Sequence, residues 1–381
     1  MNRGVRQGVA LGCREEGNDL PAFRQSTRAR QEVCPQMLAV PEPLSVDDSE
    51  AVTSRAFERR ALTASVRQLS VVTNARGLWA VARQWLIIAL SVAFVVQVDR
   101  WWAWVLAAVV ISSRQHALLS LVHEASHHHL LTNRKLNDLV SDLLCAFPMN
   151  ITTEGYRKEH VEHHRYVNTE KDPYWRTAQR DRAWIFPRTR GSAALVLLGD
   201  MVGFFSLSHL RIVVPWSYTG RSMGKGGPPI SRAEHVRYAL WLAGFITFLT
   251  LTGGWLHYLL LWSIPSLTLM MMAFRIRALV EHPFTPATPD ETHETRDVEG
   301  ATWLERFFIA PFNASYHLSH HLFPSVPYYH LPALHQRLKQ TDLFRPGENH
   351  FQTYLGGDKS AWSFLTSASN QDIPHPLPVK D

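Results

Sequence analysis

The feature that most constrains this 381-residue chain is a pair of apolar runs, Tyr238–Thr252 and Trp255–Ala273, separated only by Gly253 and Gly254. The second run has no Asp, Glu, Lys or Arg and approaches the ~20 apolar residues a helix needs to cross a bilayer. A similar pair lies upstream. Trp85–Val98, lengthened by Leu78–Val81 across Arg83, is followed after Asp99 and Arg100 by Trp101–Val122. One such pair reads equally well as a buried hairpin of a soluble protein. Two pairs with tight turns predict four spans, at about 78–99, 101–122, 238–252 and 255–277.

Charge placement orients them. Arg55, Arg59, Arg60, Arg67, Arg76 and Arg83 precede the first span, Arg100 alone occupies the first short turn, and the second turn has no basic residue. Basic residues stay on the cytoplasmic side, so both termini are expected there. The formal net charge of +6 suits an anionic membrane surface, and no nucleic-acid module accompanies it. Three cysteines, Cys13, Cys34 and Cys145, are far apart and fit a reducing compartment. The expected fold is all-α: a four-span bundle of two helical hairpins with a cytosolic helical cap. Residues 1–74 read as a disordered polar extension, 75–340 as the membrane domain and 341–381 as a tail. Ala193–Leu207 is too short to span comfortably and reads as interfacial, and Pro265 is placed to kink the fourth span.

Three groups of histidine sit where those spans end: His123-x-x-x-His127-His128, His160-x-x-His163-His164 and Asn313-x-x-x-His317-x-x-His320-His321. On a helix, positions i, i+3 and i+4 share a face, and imidazole is the commonest metal-binding side chain. His282 follows the fourth span beside Glu281. Nine imidazoles exceed what one four-coordinate ion accepts, so two ions are expected. Carboxylates should grip the far ring nitrogens, with Glu124, Glu159, Glu162, Asp138, Asp172 and Glu281 as candidates. Arg114, Gln115 and His116 interrupt an apolar span, where polar groups are costly. They read as support for the metal site, as contacts to a substrate's polar part, or as a buried structural network. His128 and His129 read as surface residues, and His209, His235, His257, His330 and His335 as interfacial or structural. His123-Glu124-x-x-His127 also matches the His-Glu-x-x-His pattern of zinc proteases. That alternative leaves the other boxes unexplained. A non-catalytic metal-binding membrane protein such as a transporter is a second alternative, but it predicts ionisable groups spread along several spans.

With these boxes in view, Leu78–Leu338 resembles the membrane fatty acid desaturase superfamily. The matching residues are Arg114-Gln115-His116 leading into the first box, then Leu136-Asn137-Asp138. Tyr156-Arg157 runs through the second box to Arg165-Tyr166, Asn168-Thr169 and Asp172-Pro173. Glu305-Arg306, Ala310-Pro311 and Asn313 lead through the third box to Pro324-Ser325-Val326-Pro327. The resemblance implies two iron ions held by His123, His127, His160, His163, His164, His317, His320 and His321. His282 matches an additional ligand, and Asn313 a position that holds metal through water. His127 is preferred over the spare His128. The third box opens on His317 and not on Gln, unlike front-end desaturases. With no His-Pro-Gly-Gly haem signature in the chain, the implied electron donor is a separate ferredoxin or cytochrome. The expected activity is oxygen-dependent desaturation of a fatty acyl or lipid chain at the cytoplasmic face, with hydroxylation of a lipid or small molecule as the alternative.

Overall fold

The computed structural model describes residues 62–367 apart from 65, 206–209, 212, 225–227 and 283–290. Most of the expected N-terminal extension, with Arg55, Arg59, Arg60, Cys13 and Cys34, lies outside the described residues, as do His209 and the chain after 367. The described chain is mostly helical. The helices that carry the argument are α1 (Asn74–Val98), α2 (Trp101–Ser126), α3 (Arg134–Ser141), α4 (Thr153–Arg165), α5 (Pro173–Gln179) and α6 (Arg190–Met201). They continue with α7 (Arg232–Thr252), α8 (Trp255–Glu281, in several segments), α9 (Trp303–Phe308), α10 (His317–Leu322) and α11 (Leu331–Leu338).

Among the described residues three helices are long and apolar enough to cross a membrane: α1, α2 and α8, at 25, 26 and 27 residues. The expected third span forms the part of α7 from Tyr238 onward, and the first two turns of that helix carry Arg232, Glu234, His235 and Arg237. α1 and α2 form the first hairpin. Asp99 adopts a left-handed conformation (φ +44°) and its N–H closes back on Val95 O at 2.9 Å. α7 and α8 form the second, turned at Gly253 with φ +63°, a conformation that costs a glycine little. Leu78, Trp79, Leu86, Leu90, Trp101, Leu240, Phe248, Leu251, Trp255 and Leu259 are all exposed. So many large apolar side chains on α1, α2, α7 and α8 suit lipid as their solvent, with tryptophans near the helix ends suited to its interface.

α2 is central: 67% of its apolar window is buried, against 28% for α1. Its polar triplet holds that position. Arg114 donates to Gln84 Oε1 of α1 (2.9 Å) and to Phe307 O of α9 (2.7 Å). Gln115 donates to Trp262 O of α8 at 2.8 Å, and His116 Nδ1 lies 3.1 Å from Phe308 O. α8 is broken. A π-helical turn at Leu259–Ser263 precedes Pro265, and the helix restarts after Thr268 at φ −124°, ψ −93°. These interruptions, with the missing proline N–H, account for the expected kink. α6 exposes Leu195 and Leu198 outward while Asp200 turns in to a fully buried pairing with Arg275 of α8 at 2.5 Å.

Two parts of the chain depart from an all-α reading with loose ends. A two-residue parallel pairing joins β1 (Asp297–Val298) to β2 (His350–Phe351). Its ladder, Asp297 N–H to Asn349 O at 2.9 Å and Glu299 N–H to Phe351 O at 3.0 Å, ties the segment after α8 to the stretch beyond 341. That stretch folds through Tyr354, which is fully buried, and a helix at Ala361–Leu365. At the other end, Val66 and Leu69 pack with Leu318, Leu322, Val326 and Leu334 around α10.

Replacing Arg275 by Met removes the guanidinium that pairs with the buried Asp200 carboxylate, at a cost of about 3–5 kcal/mol. The R275M protein should therefore unfold at markedly lower temperature in detergent. The D200L/R275M double variant should regain most of the loss, and equal destabilisation of both would exclude this account.

Candidate metal centre

Each histidine box owes its placement to a helix end. His123 lies in the last turn of α2, and His127 is its C-terminal cap. Arg157 of α4 secures that end, donating to Ser126 O (2.9 Å) and Ala125 O (3.0 Å) while Asp138 holds its guanidinium at 2.5 Å. Gly77 of α1 lets the helix cross Leu130 beside the first box, since a Cβ there would sit 1.9 Å from Leu130 O. α4 starts at Thr152, whose hydroxyl accepts Gly155 N–H at 3.1 Å, and presents His160, His163 and His164 on one side. α10 is only six residues long. It is fixed from outside: Leu318 and Leu322 enter an apolar cluster, and Asp297 accepts both the N–H (3.0 Å) and the hydroxyl (2.5 Å) of Ser319.

The nine histidines converge as two groups. His123, His127, His160, His164 and His320 form one, and His163, His282, His317 and His321 the other; within each, one ring nitrogen per residue lies within 4.8 Å of the rest. The second and third boxes are each divided between the groups. Nε2–Nε2 separations are 3.0 Å for His160–His127 and His164–His160, 3.1 Å for His320–His164 and 2.7 Å for His317–His282. The Nε2 atoms of His123, His163 and His321 are buried without a hydrogen-bond partner.

This geometry fits bound metal. Two neutral imidazoles can share one proton along an N···N contact, but in the run His127–His160–His164–His320 the Nε2 atoms of His160 and His164 each meet two others, and a ring nitrogen offers either one N–H or one lone pair. A cation accepting several of them at once resolves the conflict, and an all-imidazole donor set suits a first-row transition metal. Burial, and then the neighbouring rings, hold His127, His160, His164, His282, His317, His320 and His321 well below the usual imidazole range. They are neutral at pH 7, the form that binds metal.

Three carboxylates stand behind the rings. Glu124 Oε1 lies 3.3 Å from His123 Nδ1, Asp172 Oδ2 3.0 Å from His163 Nδ1, and Glu281 Oε2 3.4 Å from His317 Nδ1. Each is itself held: Glu124 by Tyr328 N–H at 3.0 Å, Asp172 by the N–H groups of Asn168 and Tyr174, and Glu281 by Arg277 and the Tyr354 hydroxyl. Tyr354, 73 residues from Glu281, is a partner that no local spacing signals. Asp138 serves Arg157, and Glu162 faces solvent. His128, at φ +60°, turns toward Asp138 (3.7 Å) and Arg157, so His127 joins the group and His128 does not. The Asn313 amide donates to Tyr328 O at 3.0 Å. Arg114, Gln115 and His116 make the interhelical bonds described above.

An apolar cavity of about 190 Å³ lies among Leu119, Met149, Ile151, Met270 and Met271. Trp216 and Phe274 wall it and also wall a smaller cavity of about 40 Å³ that reaches His163 and His282. A roomier one, about 350 Å³ beside Val109, Met272, Phe308 and Leu355, touches none of the nine histidines, so volume alone does not mark the site.

The chain is similar to known proteins over most of its length. The fatty acid desaturase family model matches residues 99–352. The chain is 27% identical to the dihydrorhizobitoxine desaturase of Bradyrhizobium elkanii over 74% of its own length and 80% of that protein. It is 27% identical to a sphingolipid delta(4)-desaturase of Xenopus tropicalis (63% and 68%). It is 23% identical to an sn-1 acyl-lipid omega-3 desaturase (ferredoxin) of Nostoc sp. (strain 36) (85% and 91%).

Asp172→Asn keeps the shape but weakens the grip on His163, and should lower metal affinity about 10- to 100-fold, as read by competition with a chelator. For metal-free protein the depressed histidines imply a pH dependence. The unfolded chain takes up protons below about pH 6.5 while the folded chain resists. Stability should therefore fall as pH drops through that value, and a flat profile from pH 7 to 5 would contradict burial of neutral rings.

Proposed function

The chain belongs to the fatty acid desaturase family, and from that premise we propose that it is a membrane-bound desaturase of an acyl or similarly extended hydrocarbon chain. The observation that carries this reading is the convergence of nine imidazoles, in two groups, next to an apolar cavity at one end of the long apolar helices. Two iron ions bound there would activate dioxygen and supply the oxidising power needed to remove two hydrogens from an unactivated methylene pair, with two electrons from a separate donor of ferredoxin or cytochrome type. Residues His123, His127, His160, His164 and His320 would hold one ion and His163, His282, His317 and His321 the other. The group with four imidazoles would leave more room at its ion, and it is the one that the small cavity behind Trp216 and Phe274 adjoins. These two rings and Trp184 keep water from the approach and direct the chain carbon toward His163 and His282.

The rest of the reading follows from position. α2 and α8 both end at the histidines, so the second and fourth spans of a four-span bundle would deliver them to one surface. The arginines before α1 favour the cytoplasmic one. Glu124 is committed to His123 and Tyr328 N–H, which is a positioning role and not that of a zinc protease's base. The named relatives share desaturation and differ in what they act on, which favours desaturation over hydroxylation and leaves the acyl chain as the class the apolar cavity fits best.

Purified protein should contain about two irons per chain. Lipid profiles of cells expressing the wild type should show a double bond that His320→Ala abolishes; a new hydroxyl in its place would select hydroxylation, and no change in any lipid would overturn the reading. Met271→Trp fills the cavity of about 190 Å³. It should leave iron content intact while reducing turnover of long chains by about tenfold or more relative to short ones.

A further inference from the structure

A third cluster of ligating side chains lies apart from the nine histidines. Glu299, His335 and His350 each offer an atom within 4.8 Å of the other two. They come from three places, the residue after β1, helix α11 and strand β2, and the β1–β2 register sets Asp297 opposite His350. His335 is fully buried and His350 nearly so. Asp297 Oδ2 lies 2.7 Å from His335 Nδ1, which takes the proton on that nitrogen and leaves Nε2 as a bare acceptor. That Nε2 stands 3.8 Å from Glu299 Oε2, and His350 Nε2 stands 3.2 Å from the same oxygen. Both Nε2 atoms are buried without a hydrogen-bond partner. The ring centroids lie 5.3 Å apart, and both Nε2 atoms approach the same Glu299 oxygen.

We propose that Glu299, His335 and His350 form a structural site for one divalent transition-metal ion, zinc by its donor set, separate from the boxed histidines. Two imidazole nitrogens and a carboxylate, with water in the fourth position, make a tetrahedral set of the kind zinc accepts. The charge closes as well. Glu299 and the buried Asp297 together balance a dication, whereas without it Lys339 Nζ, at 2.9 and 3.0 Å, and Gln336 share Glu299. Lys339 is the more exposed partner of that pair, so its ammonium can move to solvent when metal enters. The ion would have a mechanical consequence: Asp297, behind His335, also holds the N–H and hydroxyl of Ser319 in the six-residue α10. Metal there would clamp the helix that carries the third box to the C-terminal segment.

The test uses the full chain, purified in detergent with a tag free of histidine, and counts zinc and iron by mass spectrometry after gel filtration. Wild type should hold about one zinc per chain that His350→Ala and Glu299→Gln lose, both keeping wild-type iron. Because loss of a ligand can also disrupt folding, Lys339→Met supplies the opposite sign. Removing the competing ammonium should tighten zinc binding about tenfold in chelator competition. Zinc lost with His317→Ala but retained with His350→Ala would place it among the boxed histidines and overturn the proposal. Unchanged or weaker zinc binding in Lys339→Met would overturn it too, and would leave a metal-free network of Asp297, His335 and Glu299. Neither result depends on the reaction the protein catalyses.

Discussion

The structure depends on how buried imidazole lone pairs are disposed. An imidazole taken out of water must satisfy two nitrogens, and each unsatisfied one costs about 1–3 kcal/mol. Here a carboxylate takes one nitrogen of His123, His163 and His317, and their other nitrogens turn toward neighbouring rings. That solution is incomplete by itself, because the Nε2 atoms of His160 and His164 each meet two others and can serve only one of them well. A bound cation would complete it, and metal loading would then be coupled to the final packing of this end of the molecule.

Such a centre needs rigid walls, and the spanning helices supply them through polar contacts rare at membrane depth. Arg114, Gln115 and His116 link α2 to α1, α8 and α9 by donating to a side chain and to backbone carbonyls. Trp262, where α8 leaves regular helix, stacks on Trp85 at 5.9 Å and donates to Pro148 O at 3.1 Å. A carbonyl freed by irregular helix is then used as an acceptor for α2. Polar residues that look expensive in the sequence are the joints of the scaffold.

What was legible in the sequence was whatever repeats at short range. Helical spacing put His160, His163 and His164 on one face, and two apolar pairs marked both hairpins. The carboxylates Glu124 and Glu281 were within reach because each adjoins a histidine. The division of the boxes between two groups was not legible, since His320 and its neighbours on α10 point to different groups from a helix of two turns. For the Arg114 triplet, spacing allowed a site role and a structural one equally, and only the partners across space decide between them. The β1–β2 pairing is two residues long, below any periodic signal, and Tyr354 reaches Glu281 from far along the chain. The helix at the third span is long enough, but charge in its first turns removes it from the purely apolar class.

The third box shows why distant segments were needed at all. A six-residue helix has little stability of its own, because nucleation is costly and few of its N–H groups find partners inside it. α10 must nevertheless hold three rings in fixed directions. Its remaining positions do this: Leu318 and Leu322 enter the cluster built with Val66, Leu69, Leu334 and Leu338, and Ser319 is held twice by Asp297. Each of these partners comes from outside the segment between the boxes, from before α1, from β1 or from α11. The folded stretches flanking the spans therefore belong to the centre as much as the helices that cross the apolar layer, because without them the third box has nothing to hold its geometry.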